Sequence, residues 1–435
     1  MDGVCALADK SLVTVDGARQ PRYTLLESAR AFAVERLAAA EESALMAKRH
    51  ARAVAECLAQ ADEAYLDSTL RSDERAELLM PELDNVRAAH AWASSPGGDG
   101  ELAVLIAARA GSLEEFATEA APWLQRHRPV VEGGVAAAVA ARYWFTLASV
   151  AMFDLIPRWQ QIEAARLAEG LYRTLGVPKR VFACLLEQAR HERLAGHLAG
   201  SRLAADLARK LIEPSWPALM RSSLLHMDSG TARADGDMDL ALRLARERAE
   251  AAASSADWGA EVNARMWLID ILWEVGPIEP AAAEIARLAA QLEQRPVNAA
   301  LTAFILGNMV GILGECGRLN EAVETARAAL PLMKRSLAYS LDALAFLFWR
   351  CDRPAVASLV LGASDAKLAN DRSGREQNEV RLIEQARPAL EAAMGAEVYL
   401  ETTVKGGAMD ALQLHSIMDR TLSELVYADC RTTSV

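Results

Sequence analysis

Through the middle of this chain apolar residues return at helical spacing, and the helices they predict are cut at a steady interval. Gly196, Gly236, Gly276 and Gly317 lie forty to forty-one residues apart, and Asp352 takes the same role after a shorter step. Before each marker stands an apolar helical stretch such as NARMWLIDILWEV or AYSLDALAFLFWR. Behind each comes a more polar one: GDMDLALRLARERA, GPIEPAAAEIARLA, GRLNEAVETARAAL, DRPAVASLVLGASD. Five places after the marker the residue is always small: Ser201, Ala241, Ala281, Ala322 and Ala357. Seven places before it stand Ala189, Ser229 and Ala345, but Ile269 and Val310 in the third and fourth copies.

The pattern predicts a repeated helical hairpin. Gly ends the first helix in the left-handed cap conformation, a polar residue starts the second, and the small residues let the two approach closely. This is the layout of a tetratricopeptide-like repeat stretched beyond its usual length. Stacked hairpins bury one continuous core and leave a concave face lined by the first helix of each pair. The register places Arg190, Arg193, His226, Arg233, Asn263, Asp270, Trp273, Tyr339, Asp342 and Trp349 on that face as candidate binding residues. Asp270, inside LIDILW, is the most informative, because a carboxylate on an apolar helix needs a partner or water. The competing reading of the same residues is an internal ion pair or an exposed helix face. Gly307, Gly311 and Gly314 line one helix at near-helical spacing, which suits tight helix packing.

The ends differ from the middle. Leu7 to Val15 reads as a helix end running into a β-branched strand, Asp16-Gly17 as a turn, and Tyr23 to Leu26 as a second strand. Glu27 to Leu37 resumes a helical period with Ala29, Phe32, Ala33 and Leu37 on one face. Two strands do not stand alone, and helix, two-stranded wing, helix is the back half of a winged helix. The expected organisation is a winged-helix remnant over 1–40, a polar helical connector over 41–80, the repeat solenoid over 81–370, and a C-terminal helical cap and tail over 371–435. Within it, Ser95 to Gly100 reads as a loop, Tyr143 to Leu175 as a further hairpin broken near Pro157, and Ala428 to Val435 as a frayed tail. The fold class is all-α.

The stretch ADKSLVTVDGARQPRYTLLESARAFAVERL resembles the winged-helix segment that follows the nucleotide-binding module of bacterial STAND-type (NB-ARC-like) ATPase regulators. Lys10, Ser11, Leu12 and Val13 match its first part. Arg22, Tyr23, Leu25, Leu26, Glu27, Arg30, Ala33, Glu35 and Leu37 match its second, with Phe32 where Tyr is usual. PELDNVRAAHAWA (Pro81 to Ala93) and AVASLVLGASDAKL (Ala355 to Leu368) are similar to that family's helical arm. The resemblance implies the sensor and interaction arm of a transcriptional regulator, with a protein, a peptide or a small effector as partner and a P-loop ATPase or DNA-binding module upstream. A stand-alone scaffold is the alternative.

Composition agrees with helix and removes other classes. Ala and Leu dominate while β-branched and aromatic residues are sparse. A net charge of −12 argues against a broad nucleic-acid surface and suits a cytoplasmic protein, so DNA binding through Val4–Leu26 is the weaker rival. The six cysteines are scattered without a C-x-x-C pair, so reduced thiols are expected. Met1-Asp2-Gly3 opens no signal peptide. Gly133 to Phe153 imitates a membrane span, but Arg142 sits at its centre, so a buried solenoid helix is expected and no membrane. There is no G-x-x-x-x-G-K-[ST] and no G-x-S-x-G. HERLAGH places its second His six residues on rather than four, the wrong spacing for a shared zinc ion. No catalytic residue, cofactor or metal is expected. An unrecognised hydrolase would need an enclosed pocket of clustered titratable groups.

Overall fold

A computed structural model describes residues 2–16, 22–149, 158–335, 341–371 and 374–427. Among them the only sheet is one antiparallel hairpin, β1 (Val13–Asp16) with β2 (Arg22–Leu25), in which Val13 pairs with Leu25 and Val15 with Tyr23. It lies between α1 (Asp2–Asp9) and α2 (Glu27–Ala39). Then follow α3 (Ser43–Leu66), α4 (Ser72–Leu79), α5 (Leu83–Ala93), α6 (Gly100–Ala110), α7 (Glu114–Glu132), α8 (Ala137–Ser149) and α9 (Arg158–Thr174). The repeats proper are α10 (Pro178–Leu194) with α11 (Leu198–Arg209), α12 (Ala218–Ala234) with α13 (Met238–Ala253), and α14 (Trp258–Val275) with α15 (Glu279–Gln294). They continue as α16 (Ala299–Glu315) with α17 (Leu319–Ala329), and α18 (Leu341–Arg350) with α19 (Pro354–Asp371). Helices α20 (Gln377–Met394), α21 (Ala396–Gly407) and α22 (Ala411–Tyr427) close the chain. The protein is an all-α, tetratricopeptide-like solenoid.

The markers end helices as their chemistry requires. Gly196, Gly236 and Gly317 have φ of 80°, 81° and 75°, and Asp352 takes the same left-handed turn at 55°. Gly276 differs, being extended at φ −156°. Pro277 follows it and disfavours helical backbone in the preceding residue. All the small residues five places after the markers are buried, and so are Ala189, Ser229, Ile269, Val310 and Ala345 before them. Register therefore survives where residue size does not. Within each pair the helices pack face to face, and the first helices α8, α10, α12, α14, α16 and α18 stack side by side.

The segment 41–80, polar in overall composition, builds core as well as connecting. Ala51, Val54, Ala55, Leu58 and Ala61 form one buried stripe of α3, packed on α5 and α6. Its last turn carries a buried Asp62 among Arg75, Arg142 and Arg180. Arg142, the residue that breaks the apolar Gly133 to Phe153 stretch, thus has its counter-ion 3.1 Å away on another helix. No helix of the described residues is long and apolar enough to cross a membrane. The N-terminal unit is different: Val13 is buried, whereas Val4, Leu7, Leu12, Phe32 and Val34 are exposed, and α2 buries no residue. Arg22 pins it to the body, donating to Glu82 at 2.6 Å and to the Pro81 carbonyl at 2.7 Å.

Candidate functional site on the concave face

The face formed by α10, α12, α14, α16 and α18 is partly covered by the chain itself. At one end the Ser72 amide and hydroxyl, at the start of α4, donate to Asp257 at 2.9 and 2.6 Å, just ahead of α14. At the other end α20 lies against α14 and α18. There Glu376 pairs with Arg233 at 2.9 Å and Arg381 with Glu315 at 2.9 Å. Arg375 reaches Asp342 at 2.7 Å and Asp365 at 2.7 Å. Between these covers the floor remains open at Arg190, His226, Asn263 and Trp267, which are half-buried or exposed.

Trp267 is the centre of that floor. Arg193 from α10 and Arg233 from α12 lie over its ring at 5.6 and 5.3 Å, and His226 meets it edge-on at 4.6 Å. Its indole donates to Ser229 Oγ at 2.9 Å. Gly230 makes this possible, since a Cβ there would come within 2.9 Å of Arg193 Nε. His226 is held far below the ordinary histidine range, first by burial and then by Arg248, Arg193 and Arg190, so it stays neutral. Arg190 is paired with Glu187 at 2.5 Å.

Asp270 accepts from Asn308 Nδ2 at 2.8 Å. Burial pushes its carboxyl up to about 7, against the pull of Arg233 and with the help of Glu376 and Glu274. Glu379, facing Asp342 and Glu376, is pushed up to about 8, again by burial first. Both folded values exceed the unfolded ones, so the folded state holds these protons longer. Their contribution is full below the unfolded carboxylate pKa and is lost as pH rises through about 7 and 8. Asp270→Asn is therefore expected to raise stability more at pH 8.5 than at pH 5, by roughly 1 kcal/mol, a discount for the solvent that still reaches the site. Thermal melts at the two pH values check this, and equal effects at both would sink it.

The structure brings together Arg190, Arg193, His226, Arg233, Asn263 and Asp270 on three consecutive first helices. Asp342 is buried under Arg375 rather than presented to the open floor. Trp273 faces inward at 2 % exposure, its indole donating to Glu315 at 2.6 Å and its ring resting on Gly311, where a Cβ would lie 2.5 Å away. A helix on both sides of α14 leaves two faces to bury, and Trp273 takes the one toward α16. Trp349 is half-buried against Phe346. Tyr339 lies outside the described residues. Trp267 and Arg248 were not singled out by register; the signal for Arg248 is an arginine where the other repeats are small or apolar.

Among the described residues, no group of three or more His, Cys, Asp or Glu is placed to hold a metal ion. His191 is fully buried, its Nε2 2.9 Å from the Ala148 carbonyl, while His197 turns outward to Glu192.

Stacked hairpins with a polar concave floor define the class: a tetratricopeptide-like helical-repeat protein. Its likeness among solved structures includes one described as "Crystal Structure of Rap Protein Complexed with Competence and Sporulation Factor". The two share a TM-score of 0.50 and 12% identity over 86% of this chain and 99% of that one. At that identity the likeness is one of fold. No protein-family model and no curated protein sequence matches the chain.

Proposed function

We propose that this protein is a non-catalytic interaction arm whose concave face takes a peptide or an extended segment of a partner protein. The observation that carries the reading is the floor around Trp267: a polar, cation-rich patch left open between α4 and α20 on an otherwise self-satisfied face. The chain's own Glu376 already docks there on Arg233, which supports an acidic, extended ligand. The Rap protein of similar fold was solved in complex with competence and sporulation factor, a precedent for binding by this architecture. Work in the cytoplasm, as the sensing arm of a STAND-type regulator, is the finer proposal, and it rests on the resemblance of residues 8–37. The exposed apolar side chains of Val4, Leu7, Leu12 and Phe32 support it, since apolar surface left in water suits a docked module.

A stand-alone scaffold is the second reading, and the repeat fold supports it equally. Direct DNA contact through the hairpin is disfavoured because Arg22 is committed to Glu82 and the Pro81 carbonyl. The test is capture of a random peptide pool on the purified chain, repeated with Arg193→Ala and Asp270→Ala. Binding reduced at least tenfold by either variant is expected, an effect of roughly 1.4 kcal/mol. Binding that neither variant alters would remove the groove from consideration.

A further inference from the structure

Arg248 departs from the repeat at a position that is otherwise small or apolar. Twelve places after the markers stand Ala208, Arg248, Leu288, Ala329 and Ser364, all buried. On α13 it continues the stripe Ala241, Ala245, Arg248, Ala252 that packs against α12 and α14. At 6 % exposure its guanidinium has no carboxylate within ion-pair distance among the described residues. Nε and Nη1 lack any hydrogen-bond partner, and Nη2 donates only to Asn263 Oδ1, at 2.6 Å. Burial without a near counter-ion lowers its pKa to about 9, with only Asp270 pulling the other way. A buried cation without a partner is costly, and an apolar residue would fill the position without that penalty.

The arginine threads from the second-helix layer toward the open groove. Asn263, which receives it, is exposed on the groove side of α14, one turn before Trp267, and its amide nitrogen makes no hydrogen bond among the described residues. His226 stands nearby, kept neutral, and so adds no competing charge. We propose that Arg248 and Asn263 form an anion subsite that receives a carboxylate of a bound peptide, either its C-terminal group or an acidic side chain. This rests on the groove being a peptide site. An arriving carboxylate accepts from the Asn263 amide and, once that amide turns, from Arg248 Nη2. Carboxylate is favoured over phosphate because the groups that the chain itself sets on the neighbouring groove arginine, Arg233, are the carboxylates of Glu274 and Glu376.

The full chain, immobilised, would be offered three hexapeptide pools. One has free C-termini and includes Asp and Glu; one is amidated and lacks both; the third is the second with a phosphoserine added. Wild type is expected to retain the first pool roughly tenfold over the second, Arg248→Met to lose that preference, and Asn263→Ala to weaken it severalfold. Arg248→Met should melt no lower than wild type, since Leu288 fills the same position in the next repeat; if it fails to fold, Asn263→Ala carries the test. A preference unchanged in the variants overturns the subsite. Equal retention of the first two pools by wild type overturns it while leaving the groove reading intact. Retention of the phosphoserine pool alone reassigns the chemistry and overturns a carboxylate site. No retention of any pool overturns both readings.

Discussion

Asp62→Ala is expected to cost about 3–5 kcal/mol of stability, seen as a lower urea midpoint without loss of helix in the folded baseline. Asp62 sits at the end of α3 with Arg180 at 2.6 Å, Arg142 at 3.1 Å and Arg75 at 3.9 Å. Burial alone would raise its carboxyl, but Arg142, Arg180, Arg75 and Arg109 together outweigh that and hold it below the usual carboxylate range. Glu63 is the other acid in contact, and it is mostly exposed. Removal of Asp62 therefore leaves several buried guanidinium groups facing one another, and desolvation already depresses Arg75 and Arg109. Because the folded pKa lies below the unfolded one, the contribution is complete above the usual carboxylate value and is lost as pH falls through the folded value. Adding Arg142→Met should recover part of the loss, which a double-mutant cycle resolves as coupling. Additive single effects would mean that the two residues do not act on each other.

The second large effect concerns α19 and α21. A Cβ on Gly362 would fall inside the contact radius of the Thr403 carbonyl oxygen, and one on Gly406 inside that of Leu359. The two helices cross backbone to backbone, and both neighbours are main-chain atoms that cannot turn aside. Opposing terms decide the sign for Gly406→Ala. Helix propensity favours alanine by about 1 kcal/mol, whereas forcing packed helices apart costs about 1–3 kcal/mol and occasionally more. Steric overlap of this depth belongs at the upper end, so a net loss of about 2 kcal/mol is expected, with hydrogen exchange in α21 accelerated. A gain in stability would show that the crossing is slack.

The repeat was legible because it is local. A left-handed cap residue and a small residue at fixed offsets are enforced within one hairpin, and they predicted the buried positions even where Ile269 and Val310 replaced small side chains. The helix–hairpin–helix order of residues 2–39 was legible for the same reason. Register placed Arg193, His226 and Asp270 on the first helices, but it could not say which side of α14 Trp273 would choose. That choice depends on Gly311 in the next repeat. Nor could it foresee that α20 would lie against α14, because an amphipathic helix does not record which surface it will cover. Asp62 and Arg142 show the same limit from the other side. Each looks like an error on its own helix, and each makes sense only beside the other.

Solenoids whose repeats touch only their neighbours can lose structure segment by segment. Here Asp62 binds Arg180, 118 positions on, Ser72 binds Asp257, 185 positions on, and Arg233 binds Glu376 across a comparable span. Such cross-ties make the opening of one hairpin felt far along the chain. The array should melt more nearly as a single all-or-none unit than its modular sequence suggests, at the cost of slower assembly from contacts so distant in the chain.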